Sequence, residues 1–136
     1  MIREKTFPAE LEALDDVLGW IEEFLDEVGC PMKNTMQITV AAEEIFVNIA
    51  HYAYRGQEKQ GSAFLTLEND SRGVSLTFAD SGIKFNPLEK DDPDTSLSAE
   101  ERKIGGLGIY MVKKTMDETG YRYEDGNNIF TIRKFL

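Results

Sequence analysis

The stretch EEIFVNIAHYAY, residues 43–54, carries the polar pattern that decides the fold. It ends a segment, residues 33–54, whose apolar residues recur at helical spacing. On a helical wheel, four polar residues of this segment form one narrow stripe with apolar residues on both sides. The stripe is Gln37, Glu44, Asn48 and His51, between Ala41, Ile45, Ile38 and Ile49 on one side and Val40, Val47 and Met36 on the other. A solvated helix face is broad and charged, so the stripe predicts polar groups that are paired, bind a ligand or face a cavity.

Glu44 and Asn48 are four residues apart, so their side chains project together from the helix. A carboxylate suits a general base, and an amide oxygen suits a hard cation such as Mg²⁺. The alternative is a helix that buries a few mutually hydrogen-bonded polar groups. On this helix alone both interpretations stay open.

A second segment places a carboxylate at the end of an apolar strand. Residues 74–79 are largely apolar and run into Asp80-Ser81-Gly82. An Asp followed closely by Gly can present its carboxylate to a pocket while the backbone approaches a ligand. The same sequence is also a routine turn.

A third segment, Gly105-Gly106-Leu107-Gly108, precedes a helical pattern. Glycines at a helix start let backbone N–H groups gather there, which makes a phosphate site, although they also suit a flexible hinge. The GxGxxG and GxxxxGK[ST] spacings are absent, so a nucleotide site here is neither of the Rossmann nor of the P-loop type.

The remaining patterns predict one domain, residues 1–136, with an α+β two-layer sandwich: a mixed, mostly antiparallel sheet and helices on one face. Predicted strands are residues 2–7, 62–68, 74–79, 121–123 and 129–135, and predicted helices are 9–28, 33–54 and 107–118. Residues 83–104 show little periodicity, and a loop of roughly 20 residues inside a compact domain is commonly either a functional lid or disordered.

Composition limits the classes of partner. The net charge is -10, which disfavours nucleic acid and anionic membranes. The N-terminus MIREKTF has no apolar core and Cys30 is the only cysteine, so we expect a cytoplasmic protein without a disulfide. The acidic residues in segment 10–27 form either a solvated helix face or a face that binds a basic protein.

The three segments, in this order, resemble the boxes of the GHKL ATPases. Residues 43–54 look like the N-box, residues 80–87 like the first glycine box and residues 105–112 like the second. The resemblance covers nearly the whole chain, and it is nearest to the anti-sigma-factor serine kinases of bacterial partner-switching systems. Two departures are Lys84, where many members have a second glycine, and Tyr52, where many have His.

The resemblance implies a Bergerat ATP-binding fold with a long ATP lid and a role for each box. Glu44 would orient or deprotonate the serine hydroxyl of a protein substrate. Asn48 would hold Mg²⁺, and Asp80 would accept a hydrogen bond from the adenine amino group, with Gly82 against the ring. The remaining nucleotide contacts would come from Gly105, Gly106, Leu107 and Gly108 around the phosphates and from Thr131 at the adenine pocket.

The implied function is a serine/threonine protein kinase that transfers the γ-phosphoryl group of ATP to a STAS-type anti-anti-sigma protein. In its other state it would hold a sigma factor inactive, and the resemblance also implies a homodimer. The alternative is a non-catalytic module in which ATP or ADP selects the protein partner. A detached histidine kinase core is disfavoured, because the single His51 lies within the N-box.

Overall fold

The computed structural model describes residues 1–56, 61–89 and 106–136, in which helices and strands follow the order β1-α1-α2-β2-β3-α3-β4-β5. The strands are β1 (Ile2–Pro8), β2 (Ser62–Asn69), β3 (Gly73–Asp80), β4 (Glu118–Glu124) and β5 (Asn127–Phe135). The helices are α1 (Leu14–Glu27), α2 (Met32–Asn48) and α3 (Gly106–Thr115). Among the described residues, no helix is long and apolar enough to cross a membrane.

The five strands form one sheet in the order β1-β2-β3-β5-β4. The sequence predicts a mixed, mostly antiparallel sheet, and every pairing of these strands is antiparallel. Strand β5 lies between β3 and β4, and its register places Asn128 opposite Asp80. This pairing brings the start of the first glycine box next to the start of the last strand.

The sheet has one buried face and one open face, which confirms the predicted two-layer α+β arrangement. Alternate residues of the central strands, such as Leu65, Leu76 and Ile132, are fully buried and share one core with helix residues such as Phe24 and Phe46. Residues in between, which point to the other side of a strand, are half-buried or exposed. In the described ranges, helices therefore cover one face of the sheet and leave the other open.

Helix α2 continues into a π-helical turn, Ile49–Ala53, which we call the π-turn. The sequence predicts one helix over residues 33–54, and the observed α-helix and π-turn together occupy residues 32–53. A π-turn widens the helix locally and is frequent at functional sites. The wider π-turn changes the directions in which side chains leave the helix just after Asn48.

Helix α3 is shorter at its C-terminal end than predicted, because strand β4 begins at Glu118. The Nζ of Lys134 donates to the Thr115 carbonyl (2.8 Å), which satisfies one of the last carbonyls of the helix. The Asp117 N–H then donates to the Arg133 carbonyl (2.9 Å). Pairing with β5 therefore replaces the last helical turn that the sequence pattern predicts.

Asp70 holds the β2–β3 turn and ties it to β5. Its Oδ1 accepts hydrogen bonds from the N–H groups of Arg72 (2.8 Å) and Gly73 (3.0 Å). The Arg133 guanidinium donates to both carboxylate oxygens, at 2.9 and 2.8 Å. The Arg72 N–H, then the Arg133 side chain and the Gly73 N–H, hold the pKa of Asp70 below its ordinary value.

The predicted lid, residues 83–104, is described only up to residue 89. This part leaves β3 and makes a 3-10 turn at Pro87–Glu89. The rest of the predicted lid lies outside the described residues, as does Gly105 of the predicted phosphate segment.

Candidate functional site

A cavity of about 380 Å³ lies between the C-terminal end of α2 and the buried face of β3 and β5. Its wall consists of Ile45, Asn48, Ile49, Tyr52, Ala53, Phe78, Asp80, Ile83, Phe85, Pro87, Ile109, Tyr121, Asn128 and Phe130. The wall is mostly apolar, with a few polar groups that converge, as in ligand sites of about 300–1,000 Å³. The π-turn contributes three of these residues, so the end of α2 that departs from α-geometry forms part of the cavity wall.

Asp80 ends β3 in the cavity wall and is only 8% exposed. Its Oδ1 accepts hydrogen bonds from the Gly82 N–H (3.0 Å) and from Nδ2 of Asn128 (3.0 Å). No described residue donates to its Oδ2. One carboxylate oxygen is therefore held while the other can accept an N–H group of a ligand, such as a purine amino group.

Asn128 is a residue of the cavity that sequence reasoning missed. Its Nδ2 donates to Oδ1 of Asp80 and to the Ile83 carbonyl (2.9 Å). Its Oδ1 accepts from the Phe85 N–H (3.0 Å) and the Tyr121 hydroxyl (2.5 Å). Asn128 thus joins β3, the segment after β3 and β4. In the sequence it belongs to a turn, and only its register opposite Asp80 indicates the role.

The expectation that Thr131 helps close the adenine pocket is corrected by the structure. Thr131 pairs with Thr77 in the sheet, and the two hydroxyl oxygens are 3.2 Å apart. It follows Asn128 by three positions, so its side chain points to the opposite face of the strand. Thr131 therefore lies on the open face of the sheet, away from the cavity.

Gly82 is buried against the π-turn, where no larger residue fits. A Cβ atom at this position would lie 2.0 Å from the Ala53 carbonyl oxygen. The same carbonyl accepts a hydrogen bond from the Ile83 N–H (2.7 Å). The Tyr54 hydroxyl reinforces this contact by accepting from the Ser81 N–H (3.1 Å). The first glycine box is therefore held against the end of α2 by its backbone.

Glu44 and Asn48 lie one helical turn apart on α2 but face different cavities. Asn48 lines the cavity described above, whereas Glu44 lines a second cavity of about 190 Å³ between α2 and α3. The Glu44 carboxylate contacts the backbone of Gly108, where a Cβ atom would lie 2.0 Å from Oε2. In the described part of the chain, neither Glu44 nor Asn48 forms a side-chain hydrogen bond or ion pair. The alternative of a mutually hydrogen-bonded buried cluster is therefore wrong for this pair.

The other predicted residues lie near the contact between Glu44 and Gly108 or outside the described residues. Gly106 begins α3, followed by Leu107 and Gly108, and the first N–H groups of a helix have no partner within it. Such a helix start is suited to phosphate oxygens. His51, in the polar stripe, is exposed and its ring packs edge-on against Tyr52 (5.8 Å between centroids).

A magnesium ion fits the residues of the cavity if it arrives with a phosphate ligand. Among the described residues, no group of three His, Cys, Asp or Glu side chains could hold a metal ion. Mg²⁺ usually keeps several waters and binds one or two protein oxygens together with phosphate oxygens. The Asn48 amide lies in the cavity wall without a hydrogen-bond partner among the described residues, and its oxygen is of the type such a site uses.

Comparison with known proteins gives a family, curated relatives and solved structures. The family model described as "Histidine kinase-like ATPase domain" matches residues 7–134. The serine/threonine-protein kinase BtrW of Bordetella bronchiseptica is 27% identical over 117 residues, which is 86% of this chain and 82% of that protein. The serine-protein kinase RsbW of Halalkalibacterium halodurans is 26% identical, covering 98% of this chain and 82% of that protein.

Two solved structures share the fold. The RsbU and RsbW domains of a Mycobacterium tuberculosis protein superpose with a TM-score of 0.71 at 16% identity, covering 99% of this chain. This chain spans 32% of that one. The SiaB–SiaC complex of Pseudomonas aeruginosa gives a TM-score of 0.64 at 14% identity, covering 98% of this chain and 89% of that one.

Proposed function

This chain belongs to the family of histidine kinase-like ATPase domains, and we propose that it is an ATP-dependent serine/threonine protein kinase. The curated relatives that it matches along most of their length are named serine or serine/threonine kinases. The observation that carries the proposal is the Glu44 carboxylate, which has no hydrogen-bond partner in the described chain and adjoins Gly108 at the start of α3. A module that only binds nucleotide has no need of such a group.

The adenine ring occupies the larger cavity in this proposal. Oδ2 of Asp80 accepts a hydrogen bond from the adenine amino group, and Asn128 keeps the carboxylate in place. The phosphates extend toward the N-terminus of α3, where Gly105, Gly106, Leu107 and Gly108 supply backbone N–H groups. Asn48 would hold Mg²⁺. When bound, the ion would neutralise part of the phosphate charge.

Glu44 acts as the general base for the protein substrate. It accepts the proton of the serine hydroxyl as the serine oxygen bonds to the γ-phosphorus. The bond between that phosphorus and the β–γ bridging oxygen breaks, and ADP leaves with that oxygen. Phosphoryl transfer depends mainly on positioning and charge stabilisation, so few side chains are needed.

The protein partners in this proposal follow from the family resemblance. The substrate is a STAS-type anti-anti-sigma protein, and the second partner is a sigma factor that the chain holds inactive. The proposal treats residues 1–136 as one ATP-binding domain in the cytoplasm, with residues 83–104 as its lid, and two copies as a homodimer. The net charge of -10 agrees with protein rather than nucleic acid partners.

The alternative function is a regulatory module that binds ATP or ADP without catalysis. Differential affinity of a partner for the two nucleotide states would then be sufficient. The larger cavity serves both functions equally, because it holds only the nucleotide. Glu44 separates them, because only transfer requires a base.

The first experiment is calorimetric titration with ATP and ADP, with and without Mg²⁺, followed by incubation with labelled ATP and each purified STAS-domain protein of the source organism. We expect saturable Mg²⁺-dependent binding and label on at least one STAS protein. Glu44→Gln should keep the affinity for ATP and lose most transfer, about a hundredfold or more. The exposed neighbour Glu43→Gln is the matched control. Binding without any label would support the regulatory module instead.

A further inference from the structure

The second cavity is a groove between α2 and α3 with mostly apolar walls, which we call the α2–α3 groove. Its lining is Met36, Gln37, Val40, Ala41, Glu44, Gly108, Met111, Val112 and Thr115. Its volume of about 190 Å³ is below that of typical small-molecule sites, about 300–1,000 Å³. The space is therefore too small for a nucleotide and suits one or two side chains.

The rim of the groove exposes large apolar side chains to solvent. Met36 is 61% exposed, Val40 57% and Met111 46%. Buried Ala41 and Val112 form the floor beneath them. Contiguous exposed apolar surface marks an interaction site, and methionines adapt their shape to an apolar partner. The chemistry of the groove thus selects aliphatic side chains of a protein.

The groove is continuous with the site of the proposed reaction. Glu44 forms part of its wall, and Gly108, at the start of α3, lies directly against the Glu44 carboxylate. A serine hydroxyl that gives its proton to Glu44 must come within hydrogen-bond distance of that carboxylate. The residues next to such a serine then lie beside the apolar rim.

We infer that the α2–α3 groove binds the protein substrate through one or two aliphatic side chains next to the phosphorylated serine. This inference rests on the proposed kinase function and names the surface that recognises its substrate. The nucleotide cavity contributes the ATP, and the groove binds the substrate residues that lie beside the serine. Val40 and Met111, on opposite helices, are the side chains that determine affinity for the substrate.

The test uses the full chain with the STAS protein that wild type labels fastest, and measures kcat, KM for that protein and Kd for ATP. Val40→Asp and Met111→Asp should each raise KM about tenfold or more, as interface anchors do. The ATP Kd and kcat at saturating substrate should stay within about twofold, because neither residue lines the nucleotide cavity. The milder Val40→Ser and Met111→Ala should change KM in the same direction.

The matched control is Leu11→Asp, since Leu11 is 47% exposed and lies outside the groove. It should leave KM unchanged. An unchanged KM in the groove variants overturns the inference while the kinase function stands. A lower kcat with unchanged KM in these variants also overturns the inference. If sedimentation shows that the variants lose a dimer that wild type forms, the groove belongs to the contact with a second copy, and the inference is again overturned. If wild type binds ATP but neither labels nor binds any STAS protein, the proposed function is wrong. The assignment of a protein substrate to the groove is then wrong as well.

Discussion

Removing the side chain of Asn128 should weaken both the fold and the nucleotide site. In Asn128→Ala, Asp80 loses one of its two hydrogen-bond donors, and the Phe85 N–H and the Tyr121 hydroxyl each lose their hydrogen bond to Asn128. A hydrogen bond to a charged group contributes about 1.5–3 kcal/mol and a neutral one about 0.5–1.5 kcal/mol. Because the adjacent cavity admits water, which replaces some of these partners, we expect the free energy of unfolding to fall by about 2–4 kcal/mol.

The loss of nucleotide affinity should be smaller than the loss of stability. The Gly82 N–H still holds Oδ1 of Asp80, so the carboxylate keeps one of its two constraints. We expect the Kd for ATP to rise about tenfold, which corresponds to about 1.4 kcal/mol. Thermal unfolding measures the loss of stability. Calorimetric titration, at a temperature where the variant is folded, measures the change in the Kd for ATP.

Thr131→Ala is the matched control, because Thr131 lies on the same strand three residues later and faces the other side of the sheet. It loses only the contact with the Thr77 hydroxyl, a cross-strand pair that contributes roughly 0.2–1 kcal/mol. Its affinity for ATP should equal that of wild type. Weaker ATP binding by Thr131→Ala, or ATP binding by Asn128→Ala as tight as that of wild type, would refute this role of Asn128.

Three further substitutions test other contacts of the structure. Gly108→Ala places a Cβ atom 2.0 Å from Oε2 of Glu44, so the carboxylate must move. Phosphoryl transfer to the STAS protein should therefore fall about tenfold or more, while the affinity for ATP changes less. In Gly82→Ala, the new Cβ atom would lie 2.0 Å from the backbone of the π-turn, which cannot rotate away. The free energy of unfolding should fall by about 1–3 kcal/mol. Gly19→Ala is the control: its Cβ atom would meet no atom within 4 Å, so the free energy of unfolding should stay unchanged or rise. Because the pKa of Asp70 is lowered in the folded state, its carboxylate stabilises the protein above the unfolded pKa and loses this effect as pH falls through the folded pKa. Wild type should therefore be more stable than Asp70→Asn at neutral pH, and the difference measured by urea unfolding should shrink below about pH 4.

Local periodicity was sufficient to predict the helices and the polar stripe of α2. The narrow stripe with Glu44 and Asn48 follows from spacing within one helix, which needs no knowledge of the rest of the chain. Asp80 was also predictable, because a carboxylate that follows an apolar strand is visible in the sequence. The structure places Asp80 and Asn48 in one cavity wall.

The separation of Glu44 from that cavity was not predictable from the stripe. Spacing of four residues indicates a shared face, yet Glu44 lies against α3 and Asn48 lies above the sheet. Which neighbour a helical side chain contacts depends on how α3 packs beside α2. The close approach at Gly108 is a property of two helices that are far apart in the sequence.

The sequence by itself therefore determined the order of the helices and strands, the family resemblance and the candidate residues on α2 and at the end of β3. Only the tertiary structure decided which residue of β5 supports Asp80. Asn128 does so and Thr131 does not, because the register of β5 against β3 pairs residues 48 positions apart. Strand residues alternate between faces, so a shift of one residue in this register would exchange the buried and exposed sets. Pairing between distant strands sets that register, and the pattern of either strand alone does not contain it.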